Sequence, residues 1–265
     1  MTLKEILEFV NFVANKEQMG MSLTPENYNS LVVGFNTKVF QDELSQVEVI
    51  AKAQGVPMYR ALYGASSLRP FRTKATLTTD ANGIASLPAD YVHYTGLLAV
   101  YNGAQRDIDV ISEEEMINRR SSLMETSLAL KPACTLYGNE LQFFPKNLGH
   151  APNGTVELKY LRFPVKPYFD YCVSNETGLY VAIPANAYIS DNGGTTTQNL
   201  YDEDGDILAL DVLDITNPGN VLPYTSATVE LEWEERVHWV FVGLLLNAMG
   251  VNLKDEQIRS YKEGS

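Results

Sequence analysis

Apolar residues recur at helical spacing at both ends of this chain and at strand spacing through its middle. At the start, Leu3, Ile6, Leu7, Val10 and Val13 share one helical face. Thr2 with Glu5 forms a capping box, in which each side chain satisfies a free N–H near the other. A helix over about 3 to 17 follows. Thr24 is a good N-cap, and Pro25 suits the first helical position, where its missing N–H costs nothing. Leu31, Phe35, Val39, Leu44, Val47 and Ile50 then hold an apolar stripe as far as Gln54, with Gly55 placed as a C-cap and Pro57 as a stop. Gly34 and Asn36 disfavour a helix interior, so the stripe reads as two helices broken near 34 to 37 in preference to one long kinked helix.

After Leu68 the pattern turns to β-type. Asn-Gly pairs at 82, 102, 153 and 192 signal hairpins, because both residues tolerate the positive φ of a tight primed turn. LLAVY and RDIDVI can pair around Asn102-Gly103, and TLY can pair with LQFF around Gly138-Asn139. From Thr155 to Arg162 the residues alternate, with Val156, Leu158 and Tyr160 on one face and Glu157 and Lys159 on the other. Between these hairpins lies a helix over 112–124. Ser112 caps it with Glu115 as reciprocal partner, Glu113 and Glu114 sit at the positive end of its dipole, and Arg119 and Arg120 at the negative end. Farther on, LYVAIP, ILALDVL and ATVELEW read as strands, separated by the polar run SDNGGTTTQN and a turn at Asn217 to Gly219. Glu234 and Glu235 then precede an apolar helix from Val237 that Gly250 ends, and Asn252 caps a short amphipathic helix ending near Lys262.

These elements imply an α+β fold. Residues 1–68 and 231–265 form one helical body, 69–169 a central antiparallel β module with the helix embedded in it, and 170–230 a β/loop insertion.

Composition narrows the function. At 265 residues and 45% hydrophobic, the chain can bury a proper core. Its formal charge of -13 repels a phosphate backbone, which disfavours tight nucleic-acid binding yet lets a polyanion slide past. Fifteen tyrosines supply large amphipathic rings suited to interfaces. Cys134 and Cys172 lie outside any redox or metal spacing and read as reduced thiols of a cytosol-made protein. The N-terminus lacks a secretory pattern, and the apolar run Val237 to Val251 is short for a membrane span and interrupted by His238, Gly243 and Asn247.

Catalytic machinery is not visible in the sequence. His93, His150 and His238 have no second ligand at metal spacing, and the nucleophile elbow, phosphate loop and zinc-protease motifs are missing. Glu140 and Glu157 read as solvated strand faces and not as a glycosidase pair. Asp202, Asp204 and Asp206, with Glu203, form a candidate calcium loop, although Gly205 and Leu213 break EF-hand spacing. The rival reading is a hairpin loop whose Asp residues make turn hydrogen bonds. No catalytic residue and no cofactor site is assigned, and the protein is expected not to be an enzyme.

Four signatures follow in order: LPADY at 87–91, SEEEMINRR at 112–120, PACTLYGNELQFFP at 132–145 and TVELKYLRFP at 155–164. Their order resembles the head-to-tail adaptor, or tail-tube ring, proteins of short-tailed double-stranded DNA bacteriophages, closest in idiom to the ring proteins of crAss-like phages. Leu87, Pro88, Asp90 and Tyr91 match the turn that enters the family's β module, and Ser112 to Arg120 match its acidic-start helix. Pro132, Tyr137, Phe144 and Pro145 match its aromatic hairpin, and Tyr160, Arg162 and Pro164 match the Tyr-x-Arg-x-Pro strand that closes it. The closing stretch is similar too, through Glu234, Glu235, Val237 to Met249, Gly250, Val251, Leu253 and Asp255. One departure is the length between Pro167 and Glu230, an insertion that would decorate the outside of a ring or touch a neighbouring one.

The resemblance implies a structural virion protein, made in the bacterial cytoplasm and resident in the neck or tail. It would form a homo-oligomeric ring of about twelve copies, docked to the portal and to the next ring or tail component, with no membrane partner. Double-stranded DNA would pass through its channel without specific binding. Candidate partner contacts are Asn102 and Gly103, Gly138 and Asn139, and Asn252, Lys254 and Tyr261 in the closing segment. The alternative is a carbohydrate- or receptor-binding β module of a phage particle.

Overall fold

The computed structural model describes residues 1–16, 22–101, 104–121, 132–146, 148, 154–191, 197–213 and 222–251. In chain order these contain helices α1 (Leu3–Lys16), α2 (Pro25–Gln54) and α3 (Met58–Gly64), then strands β1 (Arg72–Leu77), β2 (Ile84–Ser86), β3 (Tyr91–Tyr101), β4 (Ala104–Asp107) and β5 (Asp109–Val110). Helix α4 (Glu113–Ser121) precedes β6 (Ala133–Tyr137), β7 (Glu140–Phe144) and β8 (Gly154–Arg162). Strands β9 (Tyr171–Ser174), β10 (Tyr180–Ala182), β11 (Tyr188–Asp191), β12 (Gln198–Tyr201), β13 (Ile207–Ala209), β14 (Val212–Leu213) and β15 (Tyr224–Thr225) follow, and α5 (Glu235–Ala248) closes the series. The fold class is α+β, with several antiparallel sheets.

The chain forms two compact units, residues 42–163 and residues 1–41 with 164–265. The expected limits at 68/69 and 169/170 fall elsewhere. Residues 42–68 belong with the β module, and 170–230 belongs with the terminal helices. The physical reason for the second difference is apolar: Phe169 and Tyr171 enter the same buried cluster as Ile6, Val10, Tyr28 and Leu245. The insertion is therefore built into a core that the terminal helices share.

The unit of residues 42–163 is a β-sandwich. One sheet has the order β1-β8-β3-β4 and the other β2-β7-β6-β5, and a single buried cluster takes side chains from both. Strand β8 supplies Val156, Leu158 and Tyr160 to that cluster, as its alternation requires, while Glu157 faces Lys74 and Lys159 at 3.7 and 3.9 Å. Ala85, Cys134, Leu141 and Phe143 answer from the second sheet. RDIDVI does not form one strand. Its first half pairs with β3 as β4, and Asp109–Val110 runs parallel to β6 in the other sheet. Ile108, buried between them, keeps an N–H bond to Leu97 O at 3.0 Å as the chain changes sheet.

In the other unit, α1 carries the expected capping box, Thr2 N to Glu5 Oε2 at 2.8 Å and Glu5 N to Thr2 Oγ1 at 3.2 Å. Helix α2 is one continuous helix and not two. The two-helix reading fails because the polar side chains that should disturb it are bonded elsewhere. Asn36 Nδ2 donates to Val165 O, and its Oδ1 accepts Trp233 Nε1 at 2.7 Å. Asn29 makes a reciprocal pair with the Phe169 backbone, both bonds at 2.8 Å. An amide held by distant backbone cannot compete for its own helix. Both long helices end as the glycines suggest. Gly55 and Gly250 adopt φ of 61° and 80°, and Val56 N to Ala51 O and Val251 N to Leu246 O close Schellman motifs. ATVELEW is not a strand beyond one bridge between Tyr168 and Val229, because its polar groups are bound by other partners. Glu230 accepts Leu3 N at 2.7 Å, and Glu232 accepts Val165 N at 2.8 Å. The helix expected from Asn252 lies outside the described residues, as does 122–124 at the end of the embedded helix.

His238 on α5 is buried beside the Trp233 backbone. Burial, with the N-terminal ammonium adding to it, holds its pKa below the usual 6.5, while the Trp233 backbone, Glu235 and Glu5 oppose that shift. The neutral ring is thus favoured in the native state, and the unfolded chain binds the proton more readily. Stability contributed here is present above pH 6.5 and falls as pH drops through the lowered value. The urea midpoint of the wild type is expected to fall from about pH 7.5 to about pH 5, and His238→Phe is expected to reduce that dependence.

Candidate functional site

The LPADY turn and the Tyr-x-Arg-x-Pro strand meet inside the sandwich unit. Pro88 O accepts Tyr91 N at 3.1 Å, which closes the turn and brings Asp90 beside β8. There Asp90 Oδ1 accepts the Tyr160 hydroxyl at 3.0 Å, and Asp90 O accepts Phe163 N at 2.8 Å. The Tyr91 and Tyr160 rings pack with centroids 5.9 Å apart, and the Tyr91 hydroxyl accepts Tyr94 N at 3.0 Å. Burial, with Asp90 as acceptor, raises the Tyr160 pKa, so the phenol stays protonated as a donor. Leu87 is buried, and its N–H is bound by Asn139 O at 2.9 Å. These residues hold three segments together.

Gly138 and Asn139 form the exposed tip between β6 and β7, with Gly138 at φ 54° and Leu136 and Tyr137 exposed beside them. The Asn139 carbonyl is already committed to Leu87, so this tip is anchored at its root. Asn102, Gly103, Asn252, Lys254 and Tyr261 lie outside the described residues, and β3 and β4 pair as far as Tyr101 and Ala104. On α4, Ser112 Oγ accepts Glu115 N at 3.2 Å. The Glu115 side chain goes to Arg119 at 2.9 Å instead of back to the cap, and Arg119 also meets Asp109 at 3.4 Å.

The acidic loop behaves as a turn. Asp202 Oδ1 accepts Asp204 N and Asp206 N at 3.1 and 2.8 Å, Asp202 N donates to Asp206 O, and Gly205 takes φ 89°. The calcium candidate is not assembled. Among the described residues no three Asp, Glu, His or Cys side chains are placed to hold a metal ion. His93 stacks on Tyr94 with centroids 5.0 Å apart, and His150 lies outside the described residues. Both cysteines are buried thiols outside any disulfide, and burial, with Asp109 adding to it, pushes the Cys134 thiol up to about 12, which keeps it un-ionised and unreactive.

The sandwich unit also contains a cleft of about 390 Å³ lined by Tyr59 and Tyr63 of α3, Tyr94 and Gly96 of β3, Asp107, Asp109 and Lys159. The Tyr59 and Tyr94 rings lie 6.2 Å apart, and the Arg72 guanidinium sits 5.6 Å from the Tyr63 ring centre. Arg72 also donates to the carbonyls of Leu62 and Ala65 at the end of α3, which fixes the helix bearing both tyrosines. None of these tyrosines was singled out by the sequence. The abundance of tyrosine was visible, but α3 and its placement against β3 were not. Compared with known families and curated proteins, the chain matches no family model and no curated protein.

Proposed function

We propose that the protein is a structural virion component, a homo-oligomeric ring of the phage head-to-tail connector that docks at the portal, extends the DNA channel and receives the tail. The observation that supports this reading is the use made of the signature residues. Asp90, Tyr91 and Tyr160 bind one another, Leu87 is tied to the aromatic hairpin, and Glu115 is spent on Arg119. Residues that the resemblance marks are thus committed to architecture, as a building block requires and as a catalyst does not. The formal charge of -13 suits a channel wall that lets DNA slide without gripping it. A ring of about twelve copies closes through heterologous contacts related by rotation. The protein is not an enzyme in this reading, and its place is the neck or tail of the particle.

Mass photometry of the free protein, followed by mixing with capsids that carry a portal but no tail, tests the proposal. Expected is a saturable mass increment on the capsids equal to one ring. A subunit that never joins portal-bearing capsids overturns the reading.

A further inference from the structure

We propose that the tyrosine cleft of the sandwich unit is a binding site for a neutral saccharide, with the Tyr59–Tyr94 pair as its stacking platform. Three features of the cleft lead to this class of ligand. The first is shape. Strand β3 shifts register against β8 at Tyr94/Gly96, where Gly96 contributes to the cleft. Bulges re-aim side chains beside sites, and this one sets Tyr94 next to Tyr59 over a glycine. The volume, about 390 Å³, lies within the roughly 300–1,000 Å³ of small-ligand sites.

The second is the sign of the rim. Asp107 and Asp109 are exposed and Lys159 is partly exposed, with Asp109 facing Arg119 at 3.4 Å and Lys159 facing Glu157 at 3.9 Å, so the rim carries both signs and part of its charge is answered within the protein. An uncharged ligand that donates and accepts at once, as vicinal hydroxyls do, meets such a rim without displacing either ion pair. The third is the platform. Tyr94 stacks on His93 with centroids 5.0 Å apart and lies 6.2 Å from Tyr59, and the rings of Tyr59, Tyr63 and Tyr94 line the cleft with apolar surface and hydroxyl edges. A pyranose carries the matching surfaces, a C–H face and a hydroxyl edge. The nearest rival is a nucleoside, which is also neutral and stacks on a ring through its flat base.

The proposal does not rest on the ring reading, since it is tested on the free protein. Saturation-transfer NMR is run with glucose, galactose, mannose, N-acetylglucosamine and their disaccharides, with adenosine and uridine as rivals. Variants are Tyr63→Ala and Gly96→Val. Tyr63 is exposed, and the atoms nearest to a Cβ on Gly96 would be those of the Lys159 chain and the Tyr63 hydroxyl, at 3.9 to 4.0 Å, so alanine at this position meets ordinary contacts while the larger valine crowds the cleft. Gly96→Ala is the folding control. Expected is transfer to one face of at least one sugar, with affinity falling roughly tenfold in Tyr63→Ala and Gly96→Val at unchanged circular dichroism. Transfer to no sugar, transfer unaltered in both folded variants, or transfer to the nucleosides alone overturns it. If Gly96→Val fails to fold, Tyr63→Ala decides.

Discussion

Replacing Asp170 with alanine is expected to cost on the order of 4 kcal/mol, because it strips a buried acceptor from several donors at once. Asp170 is fully buried. Its Oδ2 accepts Ala227 N at 2.8 Å and the Tyr224 hydroxyl at 3.0 Å, and its Oδ1 accepts Tyr171 N at 3.0 Å. Its own backbone donates to Thr228 Oγ1 and accepts Ile183 N. The side chain therefore ties together the beginning and the end of the 170–230 stretch. Alanine takes that acceptor away from two backbone donors and a phenol. Asparagine at this position would keep one acceptor and place an NH2 against a donor, so Asp170→Asn should fall between wild type and alanine. Trp233 and Trp239 both lie in this unit, so urea unfolding followed by tryptophan fluorescence reads the effect where it occurs. A midpoint shift equivalent to less than about 1 kcal/mol would show that the donors find water at little cost.

Gly83→Ala is expected to destabilise the sandwich unit by roughly 3 kcal/mol, from a positive φ and a backbone collision together. Gly83 holds φ 79° in the turn that Asp80 organises, with the Asp80 carboxylate accepting Asn82 N at 2.9 Å and Ile84 N at 2.8 Å. Those N–H bonds, led by Ile84, keep the Asp80 carboxyl below the usual carboxylate range. A Cβ at Gly83 would stand 2.8 Å from Lys146 Cα and 2.9 Å from Lys146 O. Backbone cannot swing away as a long side chain can. The turn also gives Gly83 O to Phe143 N at 2.8 Å, so moving it disturbs β7. This unit contains no tryptophan, and the loss should appear in tyrosine fluorescence and circular dichroism while the tryptophan transition stays in place. A tryptophan transition that moves as far as the tyrosine one would contradict the assignment to this unit.

Local chemistry was legible wherever both partners lie within a few residues. The Thr2–Glu5 box, the two glycine caps and the Gly138-Asn139 hairpin could be read because each closes on itself. What decided α2 could not be read. Asn36 looks like a helix breaker until Val165 and Trp233 take its amide, 129 and 197 residues away. ATVELEW has strand spacing, yet its carboxylates bind backbone N–H groups of Leu3 and Val165, so the pattern reported burial without reporting pairing. The cleft escaped for the same reason. Its rings come from α3 and β3, and a heptapeptide helix has too few turns to announce itself by periodicity.

The change of sheet at Ile108 couples the alignments of the two sheets. Strands β4 and β5 are separated by that one residue, so neither sheet can slip along its neighbours without dragging the other. A slip of one residue turns every side chain of a strand to its opposite face, and here it would do so in both layers together. The segment therefore acts as a seam, which counts errors in either sheet against the pair and leaves only one phase in which both can close.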